Sequence, residues 1–274
     1  MPFQLSPPAR LRSRSAQLLR ASLGVLTLLV AWEVSVRTGL QNKLLLPPPS
    51  RIALAWTEMI VSGEWFGDLG ASGVRYLLGY SCGLALGIVM GLATARCDLV
   101  DDMLAPVLNF LRGTPSIALL PLAILWFGIG DGSKVFVVAW GVAFPIWLNA
   151  HAGIKEVDVR FDWAARSLGA EGWRLYTEIY LPGAVPFIIA GARMGIATAF
   201  FALAAAEMSG AFSGIAFRVF HSHQVFQTDK MMAAILTIGG LGLLADTAFV
   251  QLMRLLFPWW SYLQSTTKLQ DHDG

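Results

Sequence analysis

The chain has 274 residues, 55% of them hydrophobic and 14% charged, with a formal net charge of +2. Average soluble chains carry about 25% charged residues, and the apolar residues here gather into runs of about 20, the length that crosses a bilayer as a helix. A water-soluble domain is excluded, and no basic stretch is interleaved with aromatics as a nucleic-acid partner would require.

Residues 1–20 carry Arg10, Arg12, Arg14 and Arg20 with three prolines and read as a cytoplasmic tail. The apolar run 21–40 is a first membrane helix rather than a cleaved signal, because no small-x-small site follows it. Within it Glu33 and Arg37, four apart, can pair on one face. Leu44 to Pro49 break that helix. Ser50 then caps a short one whose stripe of Ile52, Ala55, Trp56, Met59 and Ile60 suits the outer interface, and Gly63 ends it. The second span, 71–95, carries Gly79, Gly83, Gly87 and Gly91 at every fourth residue, a smooth strip on which another helix can settle. Arg96, Asp98, Asp101 and Asp102 form a polar turn.

The third span, 103–127, contains Pro106, Arg112-Gly113-Thr114-Pro115 and Pro121, so a break is expected. Irregular backbone at membrane depth is tolerated where it is buried in protein or lines a cavity. Thr114 and Ser116 are therefore candidates for a translocation pathway, a purely structural kink being the alternative. The fourth span, 135–154, holds Pro145, Asn149 and His151. Asn149 is a further pathway candidate, and His151 reads as a satisfied interfacial residue. The fifth, 183–207, contains Arg193 and ends at Glu207. Charges inside spans are costly, so both are pathway candidates or partners of another span. Residues 208–230 form an outer loop in which His221 and His223, two apart, do not share a helix face; no metal is expected. The sixth span, 231–253, contains Asp246, and Phe257, Trp259, Trp260 and Tyr262 in the tail 255–274 suit the headgroup level.

Between the fourth and fifth spans, residues 155–182 are too polar to lie in hydrocarbon. Phe161, Ala164, Ala165 and Leu168 recur at helical spacing on one face. The two alanines would leave that face thin enough to enter a groove on a partner. Gly169 can take the left-handed conformation that stops a helix, a second helix starts near Leu175 and Ile179, and Pro182 redirects the chain into the membrane. The two cysteines, Cys82 and Cys97, fit no disulfide or metal spacing, and no G-x4-G-K-[ST] phosphate loop occurs. No cofactor is expected on this chain; if ATP drives it, another chain binds the nucleotide.

From Trp163 to Pro182 the sequence WAARSLGAEGWRLYTEIYLP resembles the EAA loop of ABC importer permeases, E-A-A-x3-G-x9-I-x-L-P, at six of seven positions. The leading Glu is Trp163 here, so its charged contact is absent or falls to Asp162. The segments LLPPPSRI (45–52), LPLAILWFGIGDGSKV (120–135), PIWLNAHAGI (145–154) and AEMSGAFSGI (206–215) resemble the nitrate, sulfonate, taurine and bicarbonate branch of these permeases. The resemblance implies an all-α integral membrane protein of about six transmembrane helices in the type I importer fold, with a permease domain over 21–254. It implies that Asp162, Trp163, Ala164, Ala165, Leu168, Gly169, Ile179, Leu181 and Pro182 couple the spans to an ATPase. It further implies two ATPase subunits holding ATP and Mg, a second permease copy in a homodimer, an extracytoplasmic solute-binding protein and a lipid surround in a bacterial inner membrane. The solute would be a small anion or zwitterion. The distribution of Lys and Arg places both termini and the loop 155–182 in the cytoplasm. An ion-coupled secondary transporter, with Asp246 and Glu207 as ion sites, is the rival reading; a membrane enzyme would need clustered His, Cys or carboxylates.

Overall fold

A computed structural model describes residues 14–258. The residues Arg10, Arg12, Trp259, Trp260, Tyr262 and Lys268 of the expected tails lie outside them. Among the described residues all regular structure is helical: α1 (Arg14–Arg37), α2 (Pro49–Val61), α3 (Glu64–Arg96), α4 (Asp98–Arg112), a 3-10 turn (Ser116–Leu119), α5 (Leu120–Phe127), α6 (Asp131–Lys155), α7 (Val159–Ser167), α8 (Gly172–Leu175), a wide turn (Tyr176–Tyr180), α9 (Leu181–Gly210), α10 (Ile215–Gln224) and α11 (Thr228–Leu256). Four stretches are long and apolar enough to cross a bilayer: Glu64–Arg96, Asp131–Lys155, Gly172–Gly210 and Thr228–Leu256. The pair Asp98–Arg112 and Ser116–Phe127, bent by 93°, makes a fifth if taken as one span. The 24 residues of α1 reach about 36 Å at 1.5 Å each and expose Leu23, Leu26, Leu28 and Val30, bringing the total to about the expected six.

The core is built on α6, sandwiched between α3 and α9. One face of α3 is buried from end to end: Asp68, Ser72 and Arg75 at its start, then Gly79, Gly83, Gly87 and Gly91, then Thr94. The glycines do what their spacing suggests. A Cβ on Gly87 would stand 2.5 Å from the Ala143 carbonyl oxygen, and one on Gly83 2.6 Å from that of Ala139. On the opposite side of α6, a Cβ on Gly191 of α9 would stand 2.7 Å from the Asn149 Cβ. Val138, Val142, Ile146, Ala199, Ala202 and Leu203 fill the space between these backbones. Close packing of this kind does not rely on water being expelled and so works within lipid. Gly87→Ala is expected to lower stability by about 1–3 kcal/mol through overpacking, read as a drop in the unfolding midpoint in detergent; the same change at Gly70, where a Cβ meets nothing within 4 Å, should be nearly silent.

Three expectations need correction. α1 begins at Arg14, inside the expected tail. Ser50 does not cap α2: the N-cap is Pro48, and Glu33 of α1 accepts the Ser50 amide at 3.0 Å and its hydroxyl at 2.7 Å while also holding Arg37 at 2.6 Å. A carboxylate reaching across from α1 meets the free amides at the start of α2, which its own Ser cannot. The apolar stripe of α2 faces protein, not headgroups: Ile52 and Met59 pack with Trp32, Trp65 and Ala233, and the Trp56 indole donates to Thr237 of α11.

The acidic residues Asp98 and Asp101 sit in the first turn of α4 and Asp102 follows them, with Cys97 alone separating α4 from α3. Carboxylates there suit the positive end of the helix dipole. The expected break in the third span is present. Pro115 caps the 3-10 turn and Pro121 lies in the first turn of α5, positions where a missing N–H costs nothing.

Candidate functional site

The segment between α6 and α9 folds into an elbow. Asp158 caps α7, its side chain accepting the Arg160 amide at 2.9 Å. Gly169 ends α7 with φ +81°. The Gly169 amide donates to Arg166 O and the Ala170 amide to Ala165 O, both at 3.0 Å, the paired bonds of a left-handed C-terminal cap. The chain doubles back, so that Ala165 is buried against Ala170 and Leu175, with Ile179 and Tyr180 beside them. This corrects the single docking face read from the spacing: Ala165 shapes the interior of the elbow. Phe161 and Trp163, each 63% exposed, Leu168, 86% exposed, and Ala164 remain outward.

Two contacts tie the elbow to the spans. The Tyr180 hydroxyl donates to Asp162 at 2.9 Å, joining α7 to the start of the fifth span. The Tyr176 hydroxyl donates to Leu92 O at 3.2 Å, and the Arg96 guanidinium lies 5.3 Å from the rings of Trp173 and Tyr176, joining the elbow to the end of α3. Cation–π contacts and hydrogen bonds of this kind fix orientation as well as adding attraction. Pro182 does not redirect the chain. It occupies the first turn of α9, after a turn in which the Leu181 amide reaches back five residues to Tyr176 O. The wider ring absorbs the proline, and helix runs on through Gly172–Gly210. Leu181 is half-buried beside it.

Asp162 is the central polar group of the elbow. Arg166, donating at 2.9 Å, and then the Tyr180 hydroxyl hold its carboxyl below the usual carboxylate range. A depressed folded value means that this contribution is complete above the ordinary carboxylate range and is lost as pH falls through the lowered value. Exchange protection of α7 amides is therefore expected to be flat from pH 8 to 5 and to fall only in stronger acid, whereas Asp162→Asn loosens α7 at neutral pH. Hydrogen exchange across residues 159–170 reads both; equal protection in the variant would contradict it.

The charges expected within the spans divide into two groups. Glu207 is closed into a network of the protein's own groups. It is 1% exposed, and its carboxylate accepts from the Ser72 hydroxyl at 2.8 and 2.9 Å, from Arg75 at 2.8 Å and from the Ala216 amide at 3.1 Å. Arg75 also reaches Asp131 at 2.7 Å and the Ser213 carbonyl at 2.6 Å. Asp68 holds Arg218 at 2.7 Å and the Gly214 amide at 2.9 Å. This network fastens α10 to the ends of α3, α6 and α9. Sequence reading missed Asp68, Ser72 and Arg75, although they continue the glycine row of α3 in register. Lys134, also buried, donates to the carbonyls of Ile129 and Gly130.

Arg193 is paired: its guanidinium meets Asp246 of α11 with bonds of 2.7 and 2.8 Å. Neither group is a free ion ligand, which removes the basis of the ion-coupled reading. Asn149 donates to its own helix at Pro145 O, 2.8 Å, and packs against Gly191. His151 faces Thr94 at 3.0 Å and Asp101 at 3.7 Å, as a satisfied interfacial residue would. Thr114 and Ser116 line a groove of about 500 Å³ where the third span breaks, together with Arg112, Trp140, Gly141 and Thr198.

Known proteins resemble this chain in sequence and in fold. The chain is 34% identical over 232 residues to the protein named aliphatic sulfonates transport permease protein SsuC of Bacillus subtilis (strain 168), covering 85% of this chain and 84% of that one. It is 32% identical over 249 residues to the taurine transport system permease protein TauC of Escherichia coli (strain K12), covering 89% and 90%. A chain of the MetNI methionine ABC transporter, solved in inward-facing conformations, superposes with a TM-score of 0.57 at 19% identity, over 73% of this chain and 96% of that one, a likeness of fold. Residues 83–262 match the family described as binding-protein-dependent transport system inner membrane component. The chain belongs to that family and is a multi-pass permease subunit of an ABC importer.

Proposed function

We propose that this permease carries a small sulfonate-type anion or zwitterion into the cytoplasm, as one of two identical copies that enclose the pathway. Two ATPase subunits, which hold ATP and Mg, grip the elbow from the cytoplasm, where both chain termini also lie. A binding protein delivers the solute from outside. Closure of the ATPases moves α7; Asp162–Tyr180 passes that motion to α9, and Tyr176 with Arg96 passes it to α3. Each ligand acts by favouring one conformation over another.

The observation that carries this reading is the elbow itself. Phe161, Trp163 and Leu168 are held outward on a helix whose inner side is locked to two spans. Large apolar side chains grouped outside the hydrocarbon mark a protein interface. The sulfonate class comes from the names of the SsuC and TauC relatives. Uptake of taurine and of ethanesulfonate into liposomes holding the full complex tests it. ATP-dependent uptake that needs the binding protein is expected. Uptake by this chain alone, without ATP, would contradict it.

A further inference from the structure

Two arginines besides Arg75 stand well inside the spans, and they differ in one respect. Arg193 is closed by Asp246. Arg112 makes no ion pair and no side-chain hydrogen bond among the described residues, and it is exposed. Its depth follows from the helices around it. α4 rises about 22 Å from Asp98 to Arg112, and the groove beside Arg112 is lined by Trp140, Gly141 and Pro145, midway along the 25 residues of α6. An unpaired guanidinium at that depth cannot rest against lipid without a large cost. It requires an anion or water beside it.

The groove supplies further donors. The hydroxyls of Thr114 and Ser116 make no hydrogen bond among the described residues, and Ser116 sits against Gly141. The volume of about 500 Å³ fits a small organic ion.

Resting on the permease reading above, we infer that this groove is the station within the membrane where the oxyanion head of the solute binds. The Arg112 fork takes two oxygens, a geometry in which arginine surpasses lysine. Thr114 and Ser116 donate to what remains.

The test is uptake of taurine and ethanesulfonate by the full complex in liposomes. Arg112→Gln is expected to cut uptake at least tenfold, and Arg112→Lys to cut it less. Wild-type uptake with Arg112→Gln within twofold of it would overturn the inference alone. Loss of the second permease copy on Arg112→Gln would place Arg112 at an interface and also overturn it. Absence of ATP-driven sulfonate uptake by the wild type would overturn the proposed substrate class, and this inference with it.

Discussion

Glu207→Ala is expected to destabilise the protein by about 3–5 kcal/mol, the cost of breaking a buried ion pair from one side. The stranded group is Arg75, 5% exposed, which would keep only Asp131 and the Ser213 oxygens. The Ser72 hydroxyl and the Ala216 amide lose their acceptor at the same time. Gly214 adds a second reason for the site to be strict. It has φ +123°, and a Cβ there would stand 2.5 Å from the Glu207 carboxyl atoms. Backbone and carboxylate therefore share one small space, and Glu207→Gln should recover only part of the loss. Removing both charges, as Arg75→Met with Glu207→Leu, should cost less than the two single changes summed. Unfolding midpoints in detergent decide this; a Glu207→Ala protein within about 1 kcal/mol of wild type would contradict the assignment.

Gly169→Asp is expected to abolish uptake while the complex still reaches the membrane. The reason is not crowding, since a Cβ on Gly169 meets nothing within 4 Å. It has two parts. A non-glycine residue at φ +81° is strained, by about 1 kcal/mol, and that loosens the cap that turns Ala170 onto Ala165. The new carboxylate also stands beside Leu168, which follows α7 and is the most exposed of the outward apolar side chains of the elbow. A charge buried in an interface without a partner costs several kcal/mol. Asparagine tolerates the left-handed region and carries no charge, so Gly169→Asn should retain much of the uptake. Equal loss in both variants would assign the effect to the backbone alone, and full activity in Gly169→Asp would remove Gly169 from the coupling surface.

The sequence was legible where a local rule acts alone. Apolar runs marked the spans, four glycines at one spacing marked the α3–α6 contact, and Gly169 stands in the conformation its position required. It was opaque where distant residues decide. Helical spacing groups Phe161, Ala164, Ala165 and Leu168, yet Ala165 alone is buried, because Ala170 and Leu175 fold back over it. Ser50 had the chemistry of a cap, but Glu33, seventeen residues earlier, performs the task. Glu207 and Arg75 are 132 residues apart, and nothing in either neighbourhood names the other. Arg112 was in plain view within its Gly-Thr-Pro break. Only the pairing of Arg193 with Asp246 shows which intramembrane arginine is left without a counter-ion.

The central claim is that an ATPase grips the outward face of α7 from the cytoplasm. A cysteine at position 168, in a chain whose Cys82 and Cys97 have been replaced by serine, tests it in inside-out and right-side-out vesicles. The account predicts labelling by an impermeant maleimide only in inside-out vesicles, and a disulfide-length cross-link from this cysteine to the ATPase subunit whose yield changes when ATP is added. Labelling in right-side-out vesicles, or an assembled, active complex in which residue 168 cross-links to no ATPase, would contradict it.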